Sequence, residues 1–423
     1  MNHSDVKSVA FPKARIGVRV SAQAGAALCV ACIACASGGR PGASQVRWIG
    51  SWEAAPQLTE PRNLPPAPGL SGSTLRQVVH VSLGGSRWRL RLSNQFGDGP
   101  LTVAAVRVAR SAGGDSIDAA TSVTVPFAGG ATTTIPAGHA VLSDAVGIAV
   151  PPLSDIVVSV HILAAPPAVT GHPGSRTTSY LIPGNRTEAP RLPGAITAEH
   201  WYIISGLEVE SPAESAALVV LGNSIADGRG SGTDKNNRWP DNLARRLQGS
   251  ASTEHVAVLN AGIGGNKVLT GGLGPTALAR LDRDVLSQAG ARWLIVSDGV
   301  NDLGEARGVE GSALVARQLI DAYGGIIRRA HERGLRVYGA TVLPFGGSFY
   351  ASVDHELART TVNTWIRDSG AFDAVIDLDA AMRDPADVSR LRGDADGGDH
   401  LHPNELGYRM MADAIDLALF SRQ

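Results

Sequence analysis

The rhythm of apolar residues changes about halfway along this 423-residue chain, and the change limits the folds open to it. From about Ser215 onward, continuous apolar runs alternate with stretches of helical period. Strands that are apolar at every position are typical of a parallel sheet covered by helices on both faces. We therefore predict an α/β domain over residues 213–423, with strands near Ala216 to Leu221, Val256 to Leu259, Trp293 to Val296, Val337 to Leu343 and Ala374 to Leu378. The predicted helices lie near Trp239 to Leu247, Ala313 to Arg333, Val353 to Ser369 and Glu405 to Leu419.

The first half of the chain contains short alternating segments separated by Gly, Pro and Ser. Several short strands with frequent turn residues are typical of an all-β sandwich, and we predict a jelly-roll-like sandwich domain over residues 45–212. Gln77 to Leu83 and Arg87 to Leu92 alternate on either side of Gly84-Gly85, which predicts a hairpin. The boundary between the two domains is predicted near Ser211-Pro212.

The three cysteines lie together near the N-terminus, at Cys29, Cys32 and Cys35. They fall in an uncharged run that follows several basic residues and contains an A-x-A site ending at Ala36, which is the layout of a secretory signal peptide. We predict that residues 1–36 are removed and that the mature chain is secreted or periplasmic, with no membrane span. A lipoprotein anchored through Cys35, an uncleaved anchor helix and a metal site on the CxxCxxC spacing are the alternatives.

The charge balance excludes a broad class of partners. The chain carries 38 Lys and Arg against 39 Asp and Glu, so its formal net charge is −1. A nucleic-acid-binding surface needs a basic field, and we expect no nucleic-acid partner.

Reactive side chains follow the predicted parallel strands, at the sheet edge where such folds place their sites. Ser224 comes directly after the first strand, Gly265 lies in a glycine-rich segment after the second, and Asn301 follows the third. Asp399 and His402 stand three residues apart before the last helix. Each alone is equally typical of a turn or helix cap. Together they supply a nucleophile, oxyanion donors, a base and its orienting acid, which suits acyl transfer.

An alternative use of the last segment is a metal site. It carries five potential ligands, Asp394, Asp396, Asp399, His400 and His402. Their spacing matches neither the EF-hand loop nor the H-E-x-x-H motif, so we expect no metal and no other cofactor. A metal-dependent phosphoesterase stays open as an alternative, and His400 as an alternative base.

In these blocks the second half resembles the GDSL or SGNH hydrolases. The resemblance implies a flavodoxin-like α/β/α domain that hydrolyses esters without a metal, with Ser224, Asp399 and His402 as the catalytic triad. It implies an oxyanion hole built from Ser224, Gly265 and Asn301. The first half, through the segments Trp48 to Trp52 and Ser93 to Gly97, resembles the β-sandwich domain found before the catalytic domain in secreted bacterial members.

Two positions depart from the family pattern. Asn223 stands where the family usually has Asp, and we expect this change to alter local pKa values or the rate without abolishing activity. Asn266 and Lys267 replace the commoner Asp-Thr, and either a place on the substrate side or a plain surface role is open.

The sequence therefore predicts a serine esterase acting on a small-molecule or polysaccharide ester, with short acyl or O-acetyl esters of carbohydrates as the leading class. A lipolytic or lysophospholipase-like esterase is the alternative enzyme, and a catalytically silent carbohydrate-binding protein is the non-enzyme alternative. Four tryptophans could either stack on sugars or fill the core, namely Trp48, Trp52, Trp88 and Trp201.

Overall fold

A computed structural model describes residues 46–421, and between residues 46 and 212 its regular secondary structure consists of β-strands and short 3-10 turns. The predicted signal segment 1–36, with Cys35, lies outside the described residues. The strands are β1 Val46–Glu53, β2 Gln57–Leu58, β3 Ser73–Val81, β4 Gly85–Asn94, β5 Leu101–Gly113, β6 Ser116–Ile117, β7 Val123–Thr124, β8 Thr133–Ile135, β9 His139–Leu142, β10 Val146–Val150, β11 Ser154–Ala164, β12 Thr170–His172, β13 Ser179–Pro183, β14 Ile196–Ala198, β15 Trp201–Tyr202 and β16 Ile204–Pro212.

These strands form antiparallel sheets. One has the order β1-β16-β4-β10 with β9 paired to β4, and a larger one has the order β14-β13-β3-β11-β5-β6 with β7 and β8 paired to β5. A small sheet joins β15, β12 and β2. The all-β prediction is confirmed, while the sandwich arrangement of the sheets stays a prediction.

The predicted hairpin around Gly84-Gly85 is wrong, because β3 and β4 belong to different sheets. A tight hairpin turn requires positive φ, and neither glycine adopts it. Gly84 instead allows close passage of the chain, since a Cβ there would lie 2.4 Å from the backbone nitrogen of Pro152. The segment between β3 and β4 is anchored to β1, because the Leu83 N–H donates a hydrogen bond to Ser51 Oγ at 3.0 Å.

The second half forms a parallel sheet with helices between its strands. The strands are β17 Ala216–Gly222, β18 Val256–Gly262, β19 Ala291–Ser297, β20 Arg336–Ala340 and β21 Ala374–Ile376. The helices are α1 Ser224–Asp227, α2 Trp239–Gln248, α3 Ala277–Leu281, α4 Val300–Gly304, α5 Gly308–Glu332, α6 Val353–Asp368, α7 Leu378–Met382 and α8 Glu405–Asp413. None of the helices within residues 46–421 is long and apolar enough to cross a membrane.

The strand order β18-β17-β19-β20-β21 confirms the predicted flavodoxin-like fold. Numbered within the sheet, the order is 2-1-3-4-5, so the chain reverses direction across the sheet between β17 and β19. Ligand sites of such sheets lie at the carboxyl ends of the strands that flank this point. Residues after β17 and β19 are therefore placed side by side at one crevice.

Two predicted elements end earlier than expected. The β20 strand stops at Ala340, because Val342 leaves the sheet and bonds the side-chain amide of Asn363 through both its N–H and its C=O. The last helix ends at Asp413, and Asp416 then caps a separate 3-10 turn. That turn places Phe420 in the core, edge-on to Trp293.

The two halves pack closely along the edge strand β18. The Ser82 hydroxyl bonds both the N–H and the C=O of Val258, which covers polar groups that an edge strand leaves exposed. Gly50 in β1 lies so near Leu259 that a Cβ would be 2.8 Å from its side chain. Residues 46–421 all fall within one unit by their contacts. The division into domains near residue 212 therefore stays a prediction.

Candidate active site

Ser224 lies at the start of α1, immediately beyond β17, the strand beside the edge strand β18. The turn between strand and helix is tight, because a Cβ on Gly222 would lie 2.6 Å from Ala226 and 2.9 Å from the carbonyl oxygen of Ser297. Asn223 caps the helix by accepting a hydrogen bond from the Ile225 N–H at 3.0 Å. The sequence thus folds locally so that Ser224 is held at the sheet edge.

His402 contacts Ser224 from the opposite side of the crevice. Its Nε2 lies 2.8 Å from Ser224 Oγ, and its Nδ1 lies 2.7 Å from Asp399 Oδ2. The other Asp399 oxygen accepts hydrogen bonds from the N–H groups of Leu401 and His402. Because an ionised carboxylate only accepts, His402 Nδ1 carries a hydrogen and Nε2 faces the serine as an acceptor.

The charge states of His402 and Asp399 follow from burial and hydrogen bonding. Burial lowers the pKa of His402 below 6.5, and the charges of Arg229 and Arg176 lower it further, against the opposing effect of Asp399. Burial would raise the pKa of Asp399, but the hydrogen bonds from His402 outweigh it and hold the pKa below its usual value. At neutral pH the pair is a neutral imidazole beside a carboxylate.

Gly265 and Asn301 line the same pocket as Ser224 and His402. Gly265 adopts φ +69°, a conformation that favours glycine. The Asn301 amide is fixed at both ends, since its Nδ2 donates to the Asn266 carbonyl at 2.7 Å and its Oδ1 accepts from the Tyr350 hydroxyl at 3.2 Å. The second N–H of the Asn301 amide is available to donate a hydrogen bond to a group bound in the pocket. The predicted residues after β17, β18 and β19 therefore meet in one place.

Buried polar residues that the sequence analysis did not identify hold these loops. Arg280 is 1% exposed and donates to the Gly222 and Ala261 carbonyls at the ends of two neighbouring strands. It also bonds Asn266 Oδ1, and the Asn266 amide in turn donates to the Leu273 and Pro275 carbonyls. Asn266 is fully buried, so neither a surface role nor a place on the substrate side applies to it.

The residues considered as metal ligands separate into pairs. His400 bonds Asp396, and Asp394 bonds Arg392, which leaves Asp399 to His402. Across residues 46–421 no group of three or more Asp, Glu, His or Cys side chains is arranged to hold a metal ion. His400 points to Asp396, whereas His402 contacts Ser224.

The pocket above Ser224 has a volume of about 250 Å³ and is shared between the two halves of the chain. One wall comes from the second half and includes Phe349 and Tyr350. The opposite wall comes from the first half and is polar, with Gln57, Glu60, Arg62, Asn63, Pro173, Gly174 and Arg176. Of the tryptophans considered for sugar stacking, Trp52, Trp88 and Trp201 are buried. Trp48 is covered by the guanidinium of Arg89 at 4.0 Å.

A second buried histidine–carboxylate pair joins the two halves beside the pocket. His172 Nε2 lies 2.8 Å from Asp227 Oδ1, and His172 Nδ1 lies 2.9 Å from the Ala55 carbonyl oxygen. Asp227 is the last residue of α1, the helix that begins at Ser224. No local motif marks this pair in the sequence, because its partners are 55 residues apart.

Asn223 also contacts a buried carboxyl group. Its Nδ2 donates to Asp298 Oδ1 at 3.0 Å, and the Gly299 N–H donates to the same oxygen at 2.8 Å. Burial, with the nearby charge of Asp302, raises the pKa of Asp298 to about 7. Asn223 therefore serves as a hydrogen-bond donor to a buried acid.

Comparison with known proteins matches residues 220–410 to the model of the GDSL-like lipase/acylhydrolase family. No curated protein matches the chain at a significant level.

Solved structures similar to the chain include a lipase/acylhydrolase from Enterococcus faecalis, with 18% identity and a TM-score of 0.36, covering 47% of this chain and 92% of its own. A GDSL-like lipase from Bacteroides thetaiotaomicron has 18% identity and a TM-score of 0.35, covering 48% and 87%. A catalytic mutant of an acetylxylan esterase from Geobacillus stearothermophilus has 17% identity and a TM-score of 0.37, covering 49% and 95%.

Proposed function

We propose that this chain, whose residues 220–410 form a GDSL-like lipase/acylhydrolase domain, is a serine esterase that hydrolyses carboxylic esters through an acyl-enzyme. The observation that carries the proposal is the continuous hydrogen-bonded series Ser224–His402–Asp399 on the wall of a pocket. A binding protein gains nothing from such a series, whereas a hydroxyl becomes a nucleophile only when a base accepts its proton.

In the proposed first step, His402 Nε2 takes the proton of Ser224 as Oγ attacks the ester carbonyl carbon. Asp399 keeps the His402 tautomer fixed and stabilises the imidazolium that forms. The lowered pKa of His402 supports this role, because the imidazole is neutral and ready to accept a proton at neutral pH.

The developing oxyanion is held by the N–H groups of Ser224 and Gly265 and by the Asn301 side-chain amide. Donors fixed before the reaction stabilise charge without reorganising, and the amide of Asn301 is fixed by Asn266 and Tyr350. His402 then returns its proton to the leaving alkoxide, and a water molecule, activated by the same imidazole, releases the acid.

For the substrate we propose short acyl or O-acetyl esters of carbohydrates. The polar wall contributed by the first half suits a hydroxyl-rich alcohol, and a pocket of about 250 Å³ suits a small acyl group. We propose in addition that residues 1–36 are a signal peptide, that the enzyme is secreted or periplasmic, and that residues 45–212 are a domain that builds part of the substrate site.

A lipolytic esterase is the second candidate, and one observation favours it. Phe349 lines the pocket and leaves 73% of its surface exposed, and Leu273 beside Gly265 is 39% exposed. Apolar side chains at a pocket mouth are suited to contact a longer acyl chain.

The test is turnover of p-nitrophenyl esters of rising acyl length by the purified enzyme, with Ser224→Ala as the inactive control. We expect highest kcat/KM on the acetate and loss of turnover in the Ser224→Ala variant. Preference for octanoate would favour the lipolytic candidate. Absence of turnover on every ester, or full activity of Ser224→Ala, would overturn the esterase proposal.

A further inference from the structure

Arg176 occupies an unusual backbone position on the wall that the first half contributes to the pocket. Its φ is +52°, in the left-handed region that side chains other than glycine rarely adopt. Such conformations cost free energy and persist where the surrounding structure enforces them. Arg176 is therefore held in place by its surroundings.

The residues on either side of Arg176 provide that support. Ser175 and Thr177 are buried, and their hydroxyl groups bond across Arg176, with Ser175 Oγ donating to the Thr177 carbonyl at 3.0 Å. The Arg176 carbonyl accepts from the Asp234 N–H at 2.9 Å. Gly174 lies directly over the catalytic helix, since a Cβ there would be 1.8 Å from Asp227 Oδ2. The loop is anchored to both halves of the chain.

The Arg176 side chain lines the pocket without a partner. Its Nε is buried and makes no hydrogen bond, and the guanidinium forms no ion pair within residues 46–421. A buried donor of a charged group that lacks a partner costs free energy unless a ligand supplies an acceptor. Arg176 and His402 line the same pocket, and the charge of Arg176 contributes to the lowered pKa of His402.

Two more arginines reach the same pocket from other segments, Arg62 and Arg229. The carboxylates there are already engaged. Glu60 accepts from Gln57 and Asn63, each at 2.9 Å, and Asp227 pairs with His172. Arg229 Nε lies 3.9 Å from Asp399 Oδ2, whereas neither Arg62 nor Arg176 forms an ion pair with a carboxylate within residues 46–421.

We propose that Arg176, with Arg62 and Arg229 at the rim, forms a subsite for a negatively charged group carried by the ester substrate. The subsite rests on the proposed esterase function, since it defines the substrate class of the same pocket. A carboxylate or phosphate fits, because guanidinium groups bind both through charge-assisted, often paired hydrogen bonds. A uronic-acid sugar and a phosphate-bearing alcohol are two sources of this chemistry.

The kinetic test uses matched esters, 3-acetoxybenzoate and its uncharged methyl ester. The quantity measured is the ratio of kcat/KM for the charged ester to that for the neutral one. We expect Arg176→Gln to lower this ratio about tenfold, the effect of losing a hydrogen bond to a charged group. Arg191→Gln is the control, because Arg191 lies outside the pocket lining with a side chain 77% exposed. A ratio that Arg176→Gln leaves unchanged would overturn the subsite.

A binding test separates failure of the subsite from failure of the esterase function. Ser224→Ala is titrated calorimetrically with galacturonate, glucose 6-phosphate and galactose, after its melting curve is matched to wild type. We expect a charged sugar to bind at least about tenfold tighter than galactose, and Arg176→Gln in the same background to remove the difference. Preference for the phosphate or the carboxylate identifies the source. Equal binding of charged and neutral sugars would refute the subsite even if the enzyme hydrolyses esters.

Discussion

His172 Nε2 lies 2.8 Å from Asp227 Oδ1, so a histidine of the first half is hydrogen-bonded to α1 of the second, the helix that begins at Ser224. The other imidazole nitrogen of His172 faces the Ala55 carbonyl, which can only accept. Both ring nitrogens of His172 therefore lie against oxygen atoms that accept hydrogen bonds. The imidazole and carboxylate side chains are only 4% and 3% exposed.

This pair predicts a large stability effect. We expect Asp227→Ala to lower the free energy of unfolding by about 1–3 kcal/mol, because removing the carboxylate leaves His172 Nε2 buried without a hydrogen-bond partner. The measurement is urea unfolding followed by tryptophan fluorescence. Arg87→Gln is the control, since the exposed pair Arg87–Glu210 should contribute no more than about 1 kcal/mol. A loss of similar size in both variants would contradict this account.

Activity should depend on pH through His402. Because the base acts only when neutral and its pKa is lowered by burial and by Arg229, we expect kcat/KM to be constant at neutral pH. It should fall tenfold per pH unit below a pKa that lies under 6.5. Arg229→Gln removes a charge that lowers the pKa, so this acid limb should move to higher pH. Arg191→Gln should leave the limb in place, and a shift in the opposite direction for Arg229→Gln would contradict the assignment.

The oxyanion donors should affect turnover rather than ground-state binding. We expect Asn301→Ala to lower kcat about 10²–10³-fold with little change in KM, because the donor acts on charge that develops in the transition state. Tyr350→Phe removes the 3.2 Å hydrogen bond that orients the Asn301 amide, with a longer one to Glu305, but it keeps the Asn301 donor, so its loss of kcat should be clearly smaller. Steady-state kinetics on p-nitrophenyl acetate measure both. Equal losses in the two variants would show that Asn301 does not act as a donor to the substrate.

What the sequence predicted and what it left out have separate physical causes. Ser224, Gly265 and Asn301 follow successive strands of one parallel sheet, and sheet topology brings such residues together whatever the loops between them. His172 lies in β12 and Arg176 in the loop that follows it. Both belong to the first half of the chain, so no sequence spacing relates them to Ser224. The hairpin prediction was wrong for a related reason. Alternation identifies β3 and β4 as strands, but it does not identify which strands they pair with.

The buried contact between Asn223 and Asp298 predicts how stability varies with pH. The pKa of Asp298 is about 7 in the folded chain, well above the 3.8 of an exposed aspartate. Between those values the folded state keeps a proton that the unfolded state has lost, so the free energy of unfolding should fall as pH rises from about 4 to about 7. The decrease in the free energy of unfolding attributable to Asp298 is on the order of 4 kcal/mol. Asp298→Asn should remove it, as unfolding measured at pH 5 and pH 8 would reveal.

Asn223→Asp should make the pH dependence of stability steeper. The new carboxylate at position 223 would lie about 3.0 Å from Asp298 Oδ1, and two carboxylates at that distance cannot both ionise without repulsion. We therefore expect the variant to lose stability chiefly at pH 8 and little at pH 5, where one shared proton can bridge the two groups. The double variant Asn223→Asp/Asp298→Asn exchanges the two residue types and restores an amide–carboxylate pair. Its stability at pH 8 should recover most of the loss, and a double variant no more stable than Asn223→Asp would refute the direct coupling of the two side chains.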